Sequence, residues 1–225
     1  MTELHAVLLD VDGTLIDSND AHARAWAEVL EEFGHEAGFE EARPLIGMGG
    51  DKVLPALTGL AEESPEGQRI LARRGEIFRE RHLRELRPCP GARALVERMR
   101  AAGLELVVAT SASQEDLQPL LEQAGVADLI EQTTNADDAE DSKPDPDIVA
   151  AVLRCTGRAA EHVLMLGDTP YDVEAAHRAG VGVVAVRCGG WGDADLEGAM
   201  AVYDDPAAIL ARWEESPFGR RTARR

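Results

Sequence analysis

The sequence is short of lysine, cysteine, positive charge and long apolar runs, and each shortage excludes something. Of 225 residues only two, Lys52 and Lys143, are lysine, against 21 arginines. Where arginine supplies nearly all the positive charge, a retained lysine is a candidate for a place that needs a compact point charge. Acids outnumber bases by 42 to 23, giving a net charge of −19. That balance argues against nucleic acid or an anionic membrane as the main partner, though it leaves room for a local positive pocket for a small anion. No apolar run approaches the roughly 18 residues a transmembrane helix needs, and no basic stretch followed by an apolar core opens the chain. The three cysteines, Cys89, Cys155 and Cys188, are scattered and show no metal-ligand spacing. They suggest a reduced cytosol rather than a disulfide framework. The expected location is cytoplasmic, with monomer or homodimer left open.

What is present reads as globular: 44% apolar and 29% charged residues, enough for one large domain or a domain with an insert. Residues 4–10, LHAVLLD, suit a buried strand. Residues 19–33 follow a helical period, with Ala23, Trp26, Leu30 and Phe33 on one face and Gly34 as a stop. A turn-rich loop, PLIGMGG at 44–50, leads to a short helix from Asp51, and a longer helix is predicted over 65–86. RPCPG at 87–91 then punctuates the chain. Beyond it, helices and strands alternate: helix 91–102, strand 104–109, helix 114–124, a weaker strand at 128–132, helix 146–156, strand 162–167, helix 171–179, strand 182–186, strand 201–203 and helix 206–214. This pattern predicts an α/β fold, a Rossmann-like doubly wound parallel sheet. Its first two strands are roughly ninety residues apart, far more than a crossover requires. An all-α cap inserted at 17–88 is therefore expected, in a core of 1–16 and 89–215, with hinges near 16–18 and 87–91. The basic segment 216–225 lacks an apolar face and is expected to fray. The acidic run 137–141 is expected to be a solvated loop.

Open α/β sheets bind ligands at the carboxyl ends of their strands, so the polar residues there carry the functional signal. The first strand delivers Asp10 and Asp12, which a continuing strand would point to one side. Two such acids resist ionising together unless a cation lies between them. Strand 104–109 ends in Thr110 and Ser111, and strand 162–167 ends in Asp168, with Asp172 four residues on. Lys143 lies in the loop DSKPDPD, restrained by Pro144 and Pro146. Acids for a hard cation, with hydroxyls and a lysine for an anion, describe a phosphate site and its metal.

DVDGT at 10–14, the hydroxyl pair, the lysine of KPDP and GDTPYD at 167–172 together resemble the four motifs of the haloacid dehalogenase (HAD) superfamily of phosphohydrolases. The likeness covers almost the whole chain and falls in the phosphoglycolate phosphatase and β-phosphoglucomutase branch, with a helical cap where that family carries one. The resemblance implies that Asp10 is a nucleophile forming an aspartyl-phosphate and Asp12 a general acid and base. It implies Mg²⁺ held by Asp10, the backbone carbonyl of Asp12, Asp168 and Asp172, with Thr110 or Ser111 and Lys143 on the transferring phosphoryl group. In the cap, the string H-x-R-A-W places His22 near the leaving group, while Gly49, Gly50 and Lys52 of GMGGDK are expected to contact substrate. The partner implied is a small phosphorylated metabolite. The activity implied is Mg²⁺-dependent phosphomonoester hydrolysis, with a phosphomutase as alternative and a phospho-accepting signalling module as a distant one. A dehalogenase fits less well, because that branch does not need the second acid of the DxD pair.

Overall fold

The computed structural model describes residues 2–130, 132–134 and 141–222. Its strands are β1 (Ala6–Leu9), β2 (Ile16–Asp17), β3 (Arg87–Pro88), β4 (Glu105–Ala109), β5 (Gln132–Thr134), β6 (Val163–Gly167), β7 (Gly182–Val186) and β8 (Ala201–Tyr203). The helices are α1 (Asn19–Glu32), α2 (Phe39–Ala42), α3 (Gly50–Thr58), α4 (Pro65–Ile77), α5 (Ala92–Ala101), α6 (Gln114–Gln123), α7 (Asp147–Thr156), α8 (Pro170–Arg178), α9 (Pro206–Ala211) and α10 (Pro217–Arg221).

Six strands pair in the order β5-β4-β1-β6-β7-β8, and every pairing among them is parallel. Alternation along the strands loads both faces with apolar side chains. Val7, Leu9, Val108 and Leu166 join one buried cluster. Ala6, Leu8, Val107 and Met165 join the other, with Ile148 and Val152 of α7 and Val173 of α8. The chain leaves β1 for β4 on one side and later returns to β6 on the other. That reversal opens a crevice beyond the carboxyl ends of β1, β4 and β6, where doubly wound sheets place their ligands.

Helices α1 to α4 are inserted between β1 and β4, and their apolar residues, including Trp26, Leu54 and Ile70, continue the first cluster. The two chain crossings are paired: β2 and β3 form an antiparallel ribbon with Ile16 opposite Pro88 and Asp17 opposite Arg87. The sequence predicts one helix over 65–86, but α4 ends at Ile77 and is followed by a π-helical turn at 78–82 and a 3₁₀ turn at 83–85. Phe78, fully buried, sits where the winding changes, as π turns often do beside functional positions.

Three further expectations are corrected. The weak strand expected at 128–132 lies later, at Gln132–Thr134, because 127–129 closes into a 3₁₀ turn. Residues 217–221 are no frayed tail: Ser216 caps α10 by accepting from the Gly219 N–H at 3.1 Å, Phe218 is fully buried, and Leu4 N–H donates to Arg221 O at 2.7 Å. The helix expected to run to 214 stops at Ala211, with a 3₁₀ turn at 213–215. Residues 137–140 of the acidic run and 223–225 of the basic segment lie outside the described residues. Among the described residues no helix is long and apolar enough to cross a membrane.

Candidate active site

The strand ends bring Asp10, Thr110 and Asp168 to one crevice, and the loop before α7 adds Lys143. β1 stops at Leu9, so Asp10 and Asp12 are not successive positions of a strand; the chain turns directly after Asp12. Gly13, at φ +72°, makes that turn, and no side chain fits there: a Cβ would stand 2.2 Å from Asp168 Oδ2 and 2.3 Å from Asn19 Nδ2. The turn sends the two acids to different partners.

Asp10, 6% exposed, accepts from Lys143 Nζ at 2.6 Å on Oδ1 and from Thr14 Oγ1 at 3.0 Å on Oδ2. Lys143, 1% exposed, also pairs with Asp172 at 2.7 Å. Burial alone would lower the Lys143 ammonium, but Asp10 and Asp172 hold it above its usual value. Burial pushes Asp10 up to about 7; Lys143 opposes the rise while Asp172 and Asp12 add to it. Asp168 is fully buried and lies well above the ordinary carboxylate range, through burial and then through Asp10 and Asp172. Its Oδ1 shares the Thr14 hydroxyl at 3.0 Å, and its Oδ2 accepts from Asn19 Nδ2 at 2.8 Å.

One oxygen each from Asp10, Asp168 and Asp172 lies within 4.8 Å of the others. Three buried carboxylates face one buried ammonium. That excess of two negative charges is what a divalent cation offsets, and all-carboxylate donors suit a hard ion. The residues therefore fit a metal. The Asp12 side chain stands outside this cluster. Asp172 has structural work as well: its Oδ2 accepts from Thr169 N–H at 3.0 Å and its own N–H donates to Thr169 Oγ1 at 3.1 Å, a capping box that starts α8. The cap residue of α8 is thus Thr169.

Asp12 Oδ1 accepts from Ser18 Oγ at 2.5 Å and His22 Nε2 at 2.8 Å. Ser18 occupies the N-cap position of α1 yet makes no capping bond with its side chain; the hydroxyl is turned to Asp12 instead. His22 stacks on Phe78 with ring centroids 4.0 Å apart, and its Nδ1 meets Arg74 Nη2. A guanidinium only donates, so Nδ1 accepts and the ring hydrogen on Nε2 is given to Asp12. Burial would raise the Asp12 carboxyl, but His22, Ser18 and Arg74 together bring it below its ordinary value. The two acids of the motif are thereby pushed in opposite directions.

A cavity of about 490 Å³ opens from these acids towards the inserted helices. Asp10, Asp12, Thr110 and Ser111 line its floor; His22, Gly50, Arg74 and Arg79 line the far side. Thr110 Oγ1 accepts from Ala112 N–H at 3.1 Å, and the buried Ser111 Oγ has no partner among the described residues. Gly49 gives its N–H to Ser142 Oγ at 2.9 Å. Lys52 differs from expectation: it does not line the cavity, and its ammonium meets Asp145 at 2.7 Å and Asp141 at 3.3 Å. Core carboxylates close by capture the charge expected to read a substrate.

Sequence reasoning passed over Arg74, Thr14, Asn19 and Ser18. Thr14 was within reach as part of the DVDGT string, but Arg74 is one of 21 arginines and nothing in its local pattern separates it.

Residues 7–186 match the family model for haloacid dehalogenase-like hydrolases. The chain is 34% identical over 222 residues to a phosphoglycolate phosphatase of Rhodospirillum rubrum, covering 91% of this chain and 88% of that one. In structure it is similar to a hydrolase from Pseudomonas syringae, with a TM-score of 0.87 and 28% identity over 94% of this chain and 98% of that one. It is also similar to a proposed β-phosphoglucomutase from Bacteroides vulgatus, with a TM-score of 0.86 and 25% identity over 99% and 91% of the two chains.

Proposed function

The chain belongs to the haloacid dehalogenase-like hydrolases, and on that premise we propose that it is a Mg²⁺-dependent phosphatase for a small phosphomonoester, acting through a phosphorylated Asp10. The observation that carries this reading is the buried Lys143 ammonium bridging Asp10 and Asp172, 2.6 and 2.7 Å away, beside Asp168 and the Thr110 hydroxyl. An isolated carboxylate is a poor nucleophile towards a phosphate dianion because both are anions. Here Lys143 offsets the charge that Asp10 and the phosphoryl oxygens share.

Asp10, Asp168 and Asp172, with the Asp12 backbone carbonyl, would hold Mg²⁺, which when bound supplies charge neutralisation for the phosphate and for Asp10. Asp10 attacks phosphorus and the leaving oxygen departs. Thr110 and Ser111 present hydroxyl hydrogens to the phosphoryl oxygens. Asp12 gives the leaving oxygen its proton and later takes one from the attacking water. In the structure Asp12 is held ionised; a phosphate dianion arriving beside it adds like charge and favours the protonated form. His22 orients the carboxylate during both transfers.

Support for a small anionic substrate comes from Arg74 at the far wall, whose buried Nε has no acceptor among the described residues. A carboxylate or second phosphate bound in the cavity would find this guanidinium in its wall. This agrees with phosphoglycolate, the substrate named for the Rhodospirillum rubrum relative, and with the inserted helices serving as a cap that excludes water. The β-phosphoglucomutase-like neighbour keeps a phosphomutase as second reading.

Incubation with Mg²⁺ and a panel of phosphomonoesters tests the proposal, reading free phosphate against an Asp10→Asn control. Release should fall at least about a thousandfold in the variant. Isomerised sugar phosphate without free phosphate would replace hydrolysis by the mutase reading, and release that Asp10→Asn leaves intact would remove both.

A further inference from the structure

Two of the three scattered cysteines meet in the fold. Cys89, buried, follows β3 at the second chain crossing and gives its N–H to Leu15 O at 2.9 Å. Its Sγ lies 3.7 Å from Gly13 O. Cys188, half-buried in the loop after β7, has its Sγ 3.2 Å from the same oxygen. Both thiols thus converge on one carbonyl oxygen. Cys155, exposed on α7, takes no part in this contact.

The pair stands directly behind the acid cluster. Gly13 and Gly189, neighbours in space and in sequence of the two sulfurs, both press on Asp168: a Cβ on Gly189 would fall 1.6 Å from Asp168 Oδ2. Gly189 O further accepts from Asn19 Nδ2 at 3.0 Å and Arg43 Nη2 at 2.5 Å, both from the inserted segment. A covalent link at this point would join the chain crossing to the loop that holds Asp168 in place.

We propose that Cys89 and Cys188 form a redox-sensitive pair that a hydroperoxide closes into a disulfide, and that closure stops turnover. Cys188 is the less buried of the two. It breaks the O–O bond of hydrogen peroxide, becomes a sulfenic acid and releases one water. Cys89 then attacks that sulfur; the S–S bond forms, the S–OH bond breaks, and the hydroxyl leaves with the Cys89 proton as a second water. Two thiols lose two electrons in all and the peroxide gains them. The bond requires the sulfurs to approach to about 2.05 Å, and Gly13 O loses both thiol donors. Gly13 and Gly189 must shift against Asp168, and displacement of about 1 Å near a reacting centre costs about a hundredfold in rate. A thiol reductant reverses the change. Pairs of this kind are the form in which disulfides occur in reducing compartments.

The test treats the full-length protein, in a Cys155→Ser background, with a small molar excess of hydrogen peroxide. Non-reducing peptide mapping and thiol titration should show a Cys89–Cys188 cross-link and the loss of two thiols. Phosphate release should fall about tenfold or more, and dithiothreitol should restore both readings. Cys188→Ser and Cys89→Ala should each keep basal turnover, form no cross-link and resist the same dose. The cross-link is read by mass, so it decides the pairing even if the phosphatase reading fails. Oxidation of Cys188 to a sulfinic acid with Cys89 still reduced would overturn the proposal. So would a cross-linked protein of unchanged activity, or a Cys89→Ala variant as peroxide-sensitive as its parent.

Discussion

Asp10 and Asp12 are two residues apart and are pushed in opposite directions by what surrounds them, which on the proposed mechanism would let one motif supply both a nucleophile and a proton carrier. Asp12→Asn should leave the Asp10–Lys143 pair intact and lower turnover of alkyl phosphates by about 10²–10⁴. Loss on p-nitrophenyl phosphate should be smaller, because that leaving group departs without a proton; equal losses on both would contradict the role. Arg74→Gln should reduce kcat/KM for a carboxylate-bearing phosphomonoester by about 10–100-fold, the worth of a charge-assisted hydrogen bond at a desolvated site. Uncharged substrates should lose much less in a side-by-side kinetic comparison. At this scale the sequence made the acids and the lysine legible, since strand ends and motif spacing place them. Arg74 was not legible, because its role depends on α4 packing over α1, a contact between segments about fifty residues apart that no local pattern encodes; the Ser18 hydroxyl was not, because a serine at a helix start reads as a cap.

At the scale of elements, the loop before α3 is fastened to the segment that carries Lys143. Gly49 N–H bonds Ser142 Oγ at 2.9 Å, Asp51 Oδ2 accepts from Ser142 N–H at 3.2 Å, and Lys52 spans to Asp145, which Arg178 also holds at 2.8 Å. These contacts tie the inserted segment to the lysine. Lys52→Met should raise KM several-fold while moving stability by about 1 kcal/mol or less, as expected of a partly solvated ion pair; thermal melts and steady-state kinetics separate the two effects. A collapse of the fold would mean that Lys52 is a structural strut instead. The buried strands were readable from short apolar runs, and β7 falls where the pattern put it. The break in the helix after Ile77 was not readable, for residues 78–85 keep a helical composition and only the contact of Phe78 with His22 marks the change. The docking of α10 through one buried phenylalanine escaped for the same reason: a single apolar residue is no periodicity.

For the whole molecule, the acid cluster links metal, pH and stability. Mg²⁺ at about 100 times its Kd should stabilise the protein by about 2.7 kcal/mol, a rise in Tm of roughly 5–10 °C for a chain of this size. Asp168→Asn should abolish that rise and increase the Tm of the metal-free protein, because a buried carboxyl whose ionisation burial, Asp10 and Asp172 oppose is replaced by a neutral amide. In the metal-free protein Asp10, raised from 3.8 to about 7 chiefly by burial, keeps a proton that the unfolded chain has released. The folded state then binds more protons than the unfolded state, so stability falls as pH rises from about 4 to 7. Melting curves across that range should show the decline without Mg²⁺ and a flatter profile with it.

The most direct measurement is an acid quench during turnover of the best panel substrate with Mg²⁺, followed by intact mass and peptide mapping of the wild type and Asp10→Asn. A phosphoryl group that appears transiently on the peptide carrying Asp10, and never in the variant, is the predicted result. Rapid phosphate release with no phosphorylated protein at any quench time, or a phosphoryl group on another residue, would contradict Asp10 as the nucleophile.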